Sequence, residues 1–393
     1  MLTREENRVQ NLREFEEGRT RLRSRPRALF VELTENCNFS CPMCRSGGPF
    51  DRSKNMSFEL FEEIAEELFP TAEIVDLRGW GESTILKRFP EFVDRTLSYG
   101  CRVRIVTNLS VPNEEMWRHL VRNRALIAVS FDAGEEKTFE TLRSGAKFRT
   151  IVRNLEILAD EGRASGVGTD NVHLNVVVQE AALEELSQIV TLAGRLGFRV
   201  HLNPVTLGHD DPDNLRFHRD RLAASLAETA RVAEETGTEV RIDAALDEAW
   251  ALTEHTAKTC THPWMYCYFN YAGKVGFCDH LIGQPGESYL LGDLRTASFE
   301  EIWNGPSYRR LRAEHAAWEE GLSERFEECN WCYRNRYVDF DPETHPGYES
   351  HVVRLTPANC PAVSGEGTPR PPSPGAARRS LPLTVVSHPP HQS

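Results

Sequence analysis

Apolar residues recur along this chain with two alternating periods. Compact runs such as Ala28-Leu29-Phe30-Val31-Glu32-Leu33 and Leu126-Ile127-Ala128-Val129-Ser130-Phe131 read as strands. Between such runs the spacing becomes helical. Phe58, Phe61, Ile64 and Leu68 follow Ser57, a helix N-cap, and Phe148, Ile151, Leu155 and Leu158 mark another buried face. In order, the pattern predicts strands at 28–33, 73–77, 102–106, 126–131, 172–178 and 199–205. It predicts helices at 58–69, 87–98, 113–123, 147–163, 181–196 and 217–236. Six strand–helix rounds with short loops imply a parallel sheet with right-handed crossovers. The fold class is α/β, a partial (β/α)6 TIM-like barrel with fewer rounds than the eight of a closed one. In barrels the chemistry gathers where strands end and helices begin.

The flanks differ. Residues 3–24 are heavily charged, with Leu12, Phe15 and Leu22 as sparse apolar points, and read as a solvated helix or arm within an N-terminal segment 1–27. The barrel spans 28–237 and a connector 238–259. A second unit at 260–340 begins with a β-hairpin, 266–271 and 274–278 around the turn Ala272-Gly273. Its helix opens with the capping-box pair Ser298 and Glu301. From 356 to 393 the chain turns Pro-, Gly- and Ser-rich. Residues 361–393 hold eight prolines and almost no apolar pattern, so this tail is expected to be disordered, with Cys360 an unpaired thiol at its edge.

At 393 residues the chain can bury one large core and a smaller appended unit. A net charge of −13 disfavours a nucleic-acid partner. No stretch approaches the roughly 20 apolar residues of a membrane span, and the N-terminus has no apolar signal core. Ten cysteines alone would allow disulfides, but their clustering argues for metal in a reducing compartment. These features predict a soluble cytoplasmic protein with no membrane partner.

The densest cluster is Cys37-Asn38-Phe39-Ser40-Cys41-Pro42-Met43-Cys44, directly after the first strand. Chance placement of the cysteines gives such a triplet with odds of roughly 0.006. Three thiolates leave one position of a tetrahedral zinc, or one iron of a cubane, without a protein ligand. Either a distant residue closes a structural zinc site, or the fourth position is open to a substrate, as an iron–sulfur cluster with one labile iron would have it.

Cys-x3-Cys-x2-Cys after a first strand resembles the signature of the radical S-adenosylmethionine (radical SAM) enzymes. The resemblance implies a 4Fe-4S cluster on Cys37, Cys41 and Cys44, whose open iron chelates S-adenosylmethionine. A 5′-deoxyadenosyl radical then abstracts a hydrogen atom from the substrate. Where the family often has an aromatic residue before the third cysteine, this chain has Met43, whose thioether can pack on adenine. Gly79-Trp80-Gly81-Glu82, after the second strand, resembles the family's Gly-Gly-Glu stretch. That places Gly79, Gly81 and Glu82 near the amino group of S-adenosylmethionine. Asn108, Ser130 and Arg143 resemble positions that touch its ribose and carboxylate, with a turn residue, a strand-end hydroxyl and a solvated charge as the plain readings. Asp132 reads as a helix cap. Asn175, Gln179, His201 and Asn203 stand where a polar substrate can reach them.

Cys260, Cys278, Cys329 and Cys332 form a second set of four thiolates, able to hold zinc or an iron–sulfur cluster. The order Cys260, Pro263-Trp264, Gly273, Cys278, Gly292-Asp293-Leu294, Ile302-Trp303-Asn304, Cys329-x-x-Cys332 resembles the SPASM extension of radical SAM enzymes, in its shortened twitch form with one auxiliary 4Fe-4S cluster. Cys267 is left over. It is either a buried hydrophobe, a substitute ligand for Cys260, or a catalytic hydrogen-atom donor. The resemblance to 2-deoxy-scyllo-inosamine dehydrogenase and aminoglycoside-modifying relatives implies oxidation of a secondary alcohol of a sugar or aminocyclitol, with the auxiliary cluster accepting an electron. It also implies an external donor such as flavodoxin or ferredoxin. An epimerase using Cys267, a peptide-modifying maturase and a zinc-stabilised binding scaffold are the other readings.

Overall fold

The computed structural model describes residues 2–44, 48–207, 210–243, 260–278, 289–330 and 352–360. Parallel strands β1 (Ala28–Val31), β2 (Ile74–Asp76), β3 (Arg102–Thr107), β4 (Leu126–Ser130), β5 (Val172–Val178) and β6 (Arg199–Pro204) follow the predicted rounds. Helices α2 (Phe58–Leu68), α3 (Phe89–Ser98), α4 (Glu114–Arg122), α6 (Phe148–Ala164), α7 (Leu186–Leu196) and α8 (Arg219–Thr236) alternate with them. In α2 the predicted face is buried through Phe61, Ile64 and Leu68, each stabilising by about 2 kcal/mol. Ser57 accepts from Leu60 N at 3.1 Å and caps that helix.

The sheet is larger than predicted. A seventh parallel strand, β7 (Val240–Asp243), follows β6 where a connector was expected. Val240 and Ile242 alternate with Glu239, Arg241 and Asp243, a period-two signal too short to stand out. The second unit joins the same sheet. β8 (Tyr266–Phe269) pairs parallel with β1, with Leu29 opposite Cys267 and Phe30 opposite Tyr268. The predicted hairpin is β8 with β9 (Lys274–Gly276), and β10 (Leu290–Asp293) extends it antiparallel. At the other edge β11 (Val352–Arg354) lies antiparallel to β7. The order is β10-β9-β8-β1-β2-β3-β4-β5-β6-β7-β11, one open sheet shared by both units.

Two further corrections concern the flanks. The N-terminal segment is not a solvated arm. Helix α1 (Arg4–Glu16) is opened by a capping box between Thr3 and Glu6 and buries Asn7, Asn11 and Glu14. These polar side chains fasten it. Glu14 accepts from Arg23 N and Ser24 Oγ, Asn11 donates to Trp264 O, and Asn7 bonds both N and O of Arg25. An apolar-periodicity search cannot see a helix held this way. A short α5 (Glu136–Leu142) was also missed, and its Phe139 packs between Phe131 and Phe148. Of the tail expected to be disordered, 356–393, residues 356–360 instead form a turn in which Thr356 N donates to Asn359 Oδ1 and Asn359 Nδ2 to Arg354 O, and 361–393 lie outside the described residues. Cys360, at its edge, is half-buried with its thiol on Leu226 O. Among the described residues no helix is long and apolar enough to cross a membrane.

Candidate functional site

The parallel strands all end on one edge of the sheet, and the site residues predicted for the first unit gather there. Cys37, Cys41 and Cys44 follow β1. Cys41 is buried, Cys37 half-buried and Cys44 exposed. The loop between them is shaped by its own backbone and by Ser144: Cys44 N donates to Cys41 O at 3.0 Å and Ser40 N to Ser144 O at 2.9 Å. Burial pushes the Cys37 thiol up to about 11, and the neighbouring Cys41 and Cys44 add to the rise. Among the described residues no three such side chains already stand together as a metal site. The donor set itself fits a cubane with one open iron, since three thiols near enough to perturb one another come from one eight-residue loop. Met43 beside Cys44 is half-buried against the core.

Arg143 lies beside these thiols. Its guanidinium bonds Asp132 at 2.6 Å, and its charge opposes the upward shift that burial imposes on Cys41. Asp132 is therefore not a helix cap. It is fully buried, accepts from Arg143 Nε and Val177 N, and holds the cation at the cysteine loop. Arg143 is held in place, not solvated.

The Gly79-Trp80-Gly81-Glu82 stretch after β2 docks on the segment that leads into Cys37. Gly81 N donates to Thr34 O and Glu82 N to Asn36 O. A Cβ built on Gly81 would stand 2.1 Å from Asn36 O, and one on Gly79 2.6 Å from Thr34 O. The close approach that these glycines permit is thus to the chain's own residues. Glu82 also departs from expectation. Its carboxylate is buried and turned toward β3, accepting from Thr107 Oγ1 at 2.8 Å, Asn108 N at 2.6 Å and Thr84 Oγ1 at 2.6 Å. With these three bonds it orders the strand end.

Asn108, so placed, donates to Asn38 Oδ1 at 3.0 Å and reaches Cys37 Sγ at 3.9 Å. Ser130 ends β4 in register with Asn175, which accepts from Asn203 Nδ2 at 2.8 Å. His201 faces His173 with ring centroids 6.4 Å apart, and the Nε2 group of Gln179 is buried with no partner among the described residues. The polar residues predicted on β5 and β6 thus share one face beside the cysteine loop.

Glu32 was not predicted. Its side chain is wholly buried at the end of β1, accepting from Trp80 N at 2.9 Å and from Tyr268 Oη at 2.8 Å. It ties the glycine stretch to the hairpin of the second unit. A charged residue inside an apolar strand run was the available signal.

The second set lies at the opposite edge. Cys260 precedes the short helix α9 (His262–Met265), which feeds the start of β8. Cys278 follows β9, which returns antiparallel to that end. Phe277, next to Cys278, packs on Phe326 at 5.8 Å, and this draws Cys329 toward the same place. Cys278 and Cys329 are buried and Cys260 is half-buried, while Cys332 lies outside the described residues. Four thiolates suit a 4Fe-4S cluster.

Cys267 is separated from both sets. It is completely buried on the outward face of β8, with its sulfur 3.5 Å from Tyr308 Oη and 3.6 Å from Gly276 O. Burial pushes its thiol up to about 12. A hydrogen-atom donor must meet the substrate, and this thiol meets only core atoms.

Residues 31–193 match the radical SAM superfamily model, and residues 260–333 match the SPASM iron–sulfur cluster-binding domain. The mycofactocin maturase MftC of Mycobacterium ulcerans is 26% identical over 340 residues, 82% of this chain and 89% of that protein. Streptococcus suis SuiB bound to S-adenosylmethionine superposes with a TM-score of 0.57 at 13% identity, covering 86% of this chain and 78% of SuiB. The anSMEcpe complex with AdoMet and the Cp18Cys peptide superposes with a TM-score of 0.55 at 16% identity, covering 79% and 88% of the two chains. At these identities the two structures establish the fold. Two 4Fe-4S clusters and S-adenosylmethionine are the cofactors that the matched domains hold.

Proposed function

The chain is a radical SAM enzyme with a C-terminal SPASM domain, and from that premise we propose that it modifies a peptide by hydrogen-atom abstraction. The observation that carries this reading is the alignment to a maturase across 82% of the chain and 89% of that relative. It takes the place of the sugar or aminocyclitol oxidation expected from the sequence.

When bound, the first cluster and S-adenosylmethionine supply one-electron abstraction of a hydrogen atom. The chain's own residues prepare that chemistry. Cys37, Cys41 and Cys44 hold the cluster, and Arg143, fixed by Asp132, sets a positive charge against thiolates that burial disfavours. Asn108 and the docked glycine stretch frame the cofactor. The substrate segment lies over the ends of β4, β5 and β6, where Ser130, Asn175, Asn203 and Gln179 offer hydrogen bonds to a peptide backbone. Cys260, Cys278, Cys329 and Cys332 hold the auxiliary cluster.

The test is 5′-deoxyadenosine release by the anaerobically reconstituted enzyme. Synthetic peptides for each short reading frame flanking its gene are compared with 2-deoxy-scyllo-inosamine and intact aminoglycosides. Stimulation by one peptide together with a mass change in it is the expected result. Stimulation by an aminocyclitol alone would return the enzyme to the dehydrogenase reading.

A further inference from the structure

On a chain of net charge −13 one stretch reverses sign. Arginines occupy every second position at 19, 21, 23, 25 and 27. The alternation is structural. Leu22 and Ser24 are buried, whereas Arg19, Arg21 and Arg23 are exposed and Arg25 is half-buried. Arg19 is paired with Glu17, and Arg25 with both Glu67 and Glu300. Arg21 and Arg23 have no side-chain partner among the described residues. They line a cleft of about 780 Å³ with Arg25, Asn7 and Thr71, in which the two carboxylates are those already held by Arg25.

The backbone of this ladder is bolted to the auxiliary-cluster unit. Arg19 O accepts from Trp264 Nε1 at 2.8 Å. Thr20 O accepts from Arg312 Nη1, whose Nε binds Pro263 O. Leu22 is held at N and O by the Asn304 side chain, and Ser24 O by Trp303 Nε1. Pro263 and Trp264 belong to α9, which begins two residues after Cys260. On α10 (Pro306–Ala316), Arg309 lies one turn before the buried Arg312 and flanks it toward solvent. It is exposed and, among the described residues, without a partner. The exposed arginines of 19–23 thus sit on a segment packed against α9, the helix next to Cys260, at the sheet edge away from Cys37.

We propose that this arginine ladder, Arg19, Arg21 and Arg23 with Arg309, is the docking surface for a small acidic one-electron carrier protein that reduces the clusters. In each encounter the carrier loses one electron and a cluster gains it. The clusters draw their electrons from outside the chain, and weak redox encounters use small, charge-matched contacts. The chain's overall negative charge repels an acidic carrier everywhere else and orients it here. The inference rests on the cofactors and is independent of the peptide reading.

The experiment is stopped-flow bleaching of the clusters in the reconstituted holoenzyme without any peptide. Reduced flavodoxin is the probe, and dithionite is the small-molecule control. Arg21→Glu/Arg23→Glu is expected to slow flavodoxin-driven bleaching at low salt by about tenfold or more, leaving the dithionite-driven rate unchanged. Arg149→Glu/Arg153→Glu, an equal change of charge on the exposed face of α6, is expected to have at most a twofold effect. The wild-type flavodoxin rate is expected to fall steeply with ionic strength, a readout that needs no variant. An unchanged flavodoxin rate in the ladder variant, an equal loss in the α6 variant, or a salt-independent wild-type rate overturns the proposal.

Discussion

Glu32 offers the sharpest test of how the two units communicate. Its carboxyl is wholly buried between Trp80 N–H and Tyr268 O–H, and desolvation raises it to about 7. The two donors and a backbone N–H at Tyr271 pull the other way, while the charge of Glu35 adds to the rise. Because the folded value lies above the ordinary 4.5, the folded state keeps a proton between those values that the unfolded chain has lost. Stability from this group is therefore full below pH 4.5 and falls as pH rises to about 7, the sign opposite to that of a salt-bridged carboxylate. At about 1.4 kcal/mol per pH unit, the interval from 4.5 to about 7 amounts to about 3 kcal/mol. Glu32→Gln keeps the shape, accepts from Trp80 N and donates to Tyr268 Oη, but does not titrate. Urea unfolding of both proteins, followed by tryptophan fluorescence at pH 5, 6, 7 and 8, gives the difference directly. The variant should gain on wild type by about 2–3 kcal/mol between pH 5 and 8. A difference that stays constant to within about 0.5 kcal/mol over that range would refute a buried carboxyl poised near neutrality.

Three further outcomes are expected. The Cys37/Cys41/Cys44→Ala triple variant should lower iron from about eight to about four per chain after anaerobic reconstitution, leaving the cluster proposed for the second set. Cys267→Ala should cost about 1–2 kcal/mol of stability and leave 5′-deoxyadenosine formation intact, and iodoacetamide at pH 8 should not label Cys267 in the folded protein; loss of turnover without loss of stability would restore a catalytic thiol. Gly81→Ala places a methyl group where Asn36 O already lies. It should destabilise by about 2–4 kcal/mol and loosen the first cluster, seen as weaker S-adenosylmethionine binding by calorimetry, whereas an unaffected affinity would mean the docked stretch does not position the cofactor.

The parallel rounds were legible because each buries an element with a clean period. Phe61, Ile64 and Leu68, or Val129 between Ile127 and Phe131, leave few alternatives. The cysteine loop was legible because its chemistry is local in sequence. What escaped is what depends on pairs far apart along the chain. Nothing near Asp132 announces that it holds Arg143 instead of capping a helix, and Glu82 reads as a free acid until β3 brings Thr107 and Asn108 to it. The role of a polar residue follows from its partner, and the partner comes from another strand.

The same reasoning explains why the number of strands was underestimated. β7 and β10 are four residues each, too short for periodicity to speak, and each is stabilised by the edge it covers. β8 closes the exposed side of β1, and in doing so it sets Tyr268 opposite Phe30, two residues before Glu32. The hairpin that was read as the start of a separate unit is therefore the continuation of the barrel sheet. From that register follows the Glu32–Tyr268 bond, and through it two hydrogen bonds to one carboxyl, from Trp80 N and from Tyr268 Oη, link the glycine stretch to the hairpin that ends at Cys278. Movement of the auxiliary-cluster unit relative to the first cysteine loop would have to break sheet hydrogen bonds and expose a buried carboxyl. The two units are accordingly joined through one continuous sheet and a buried hydrogen bond.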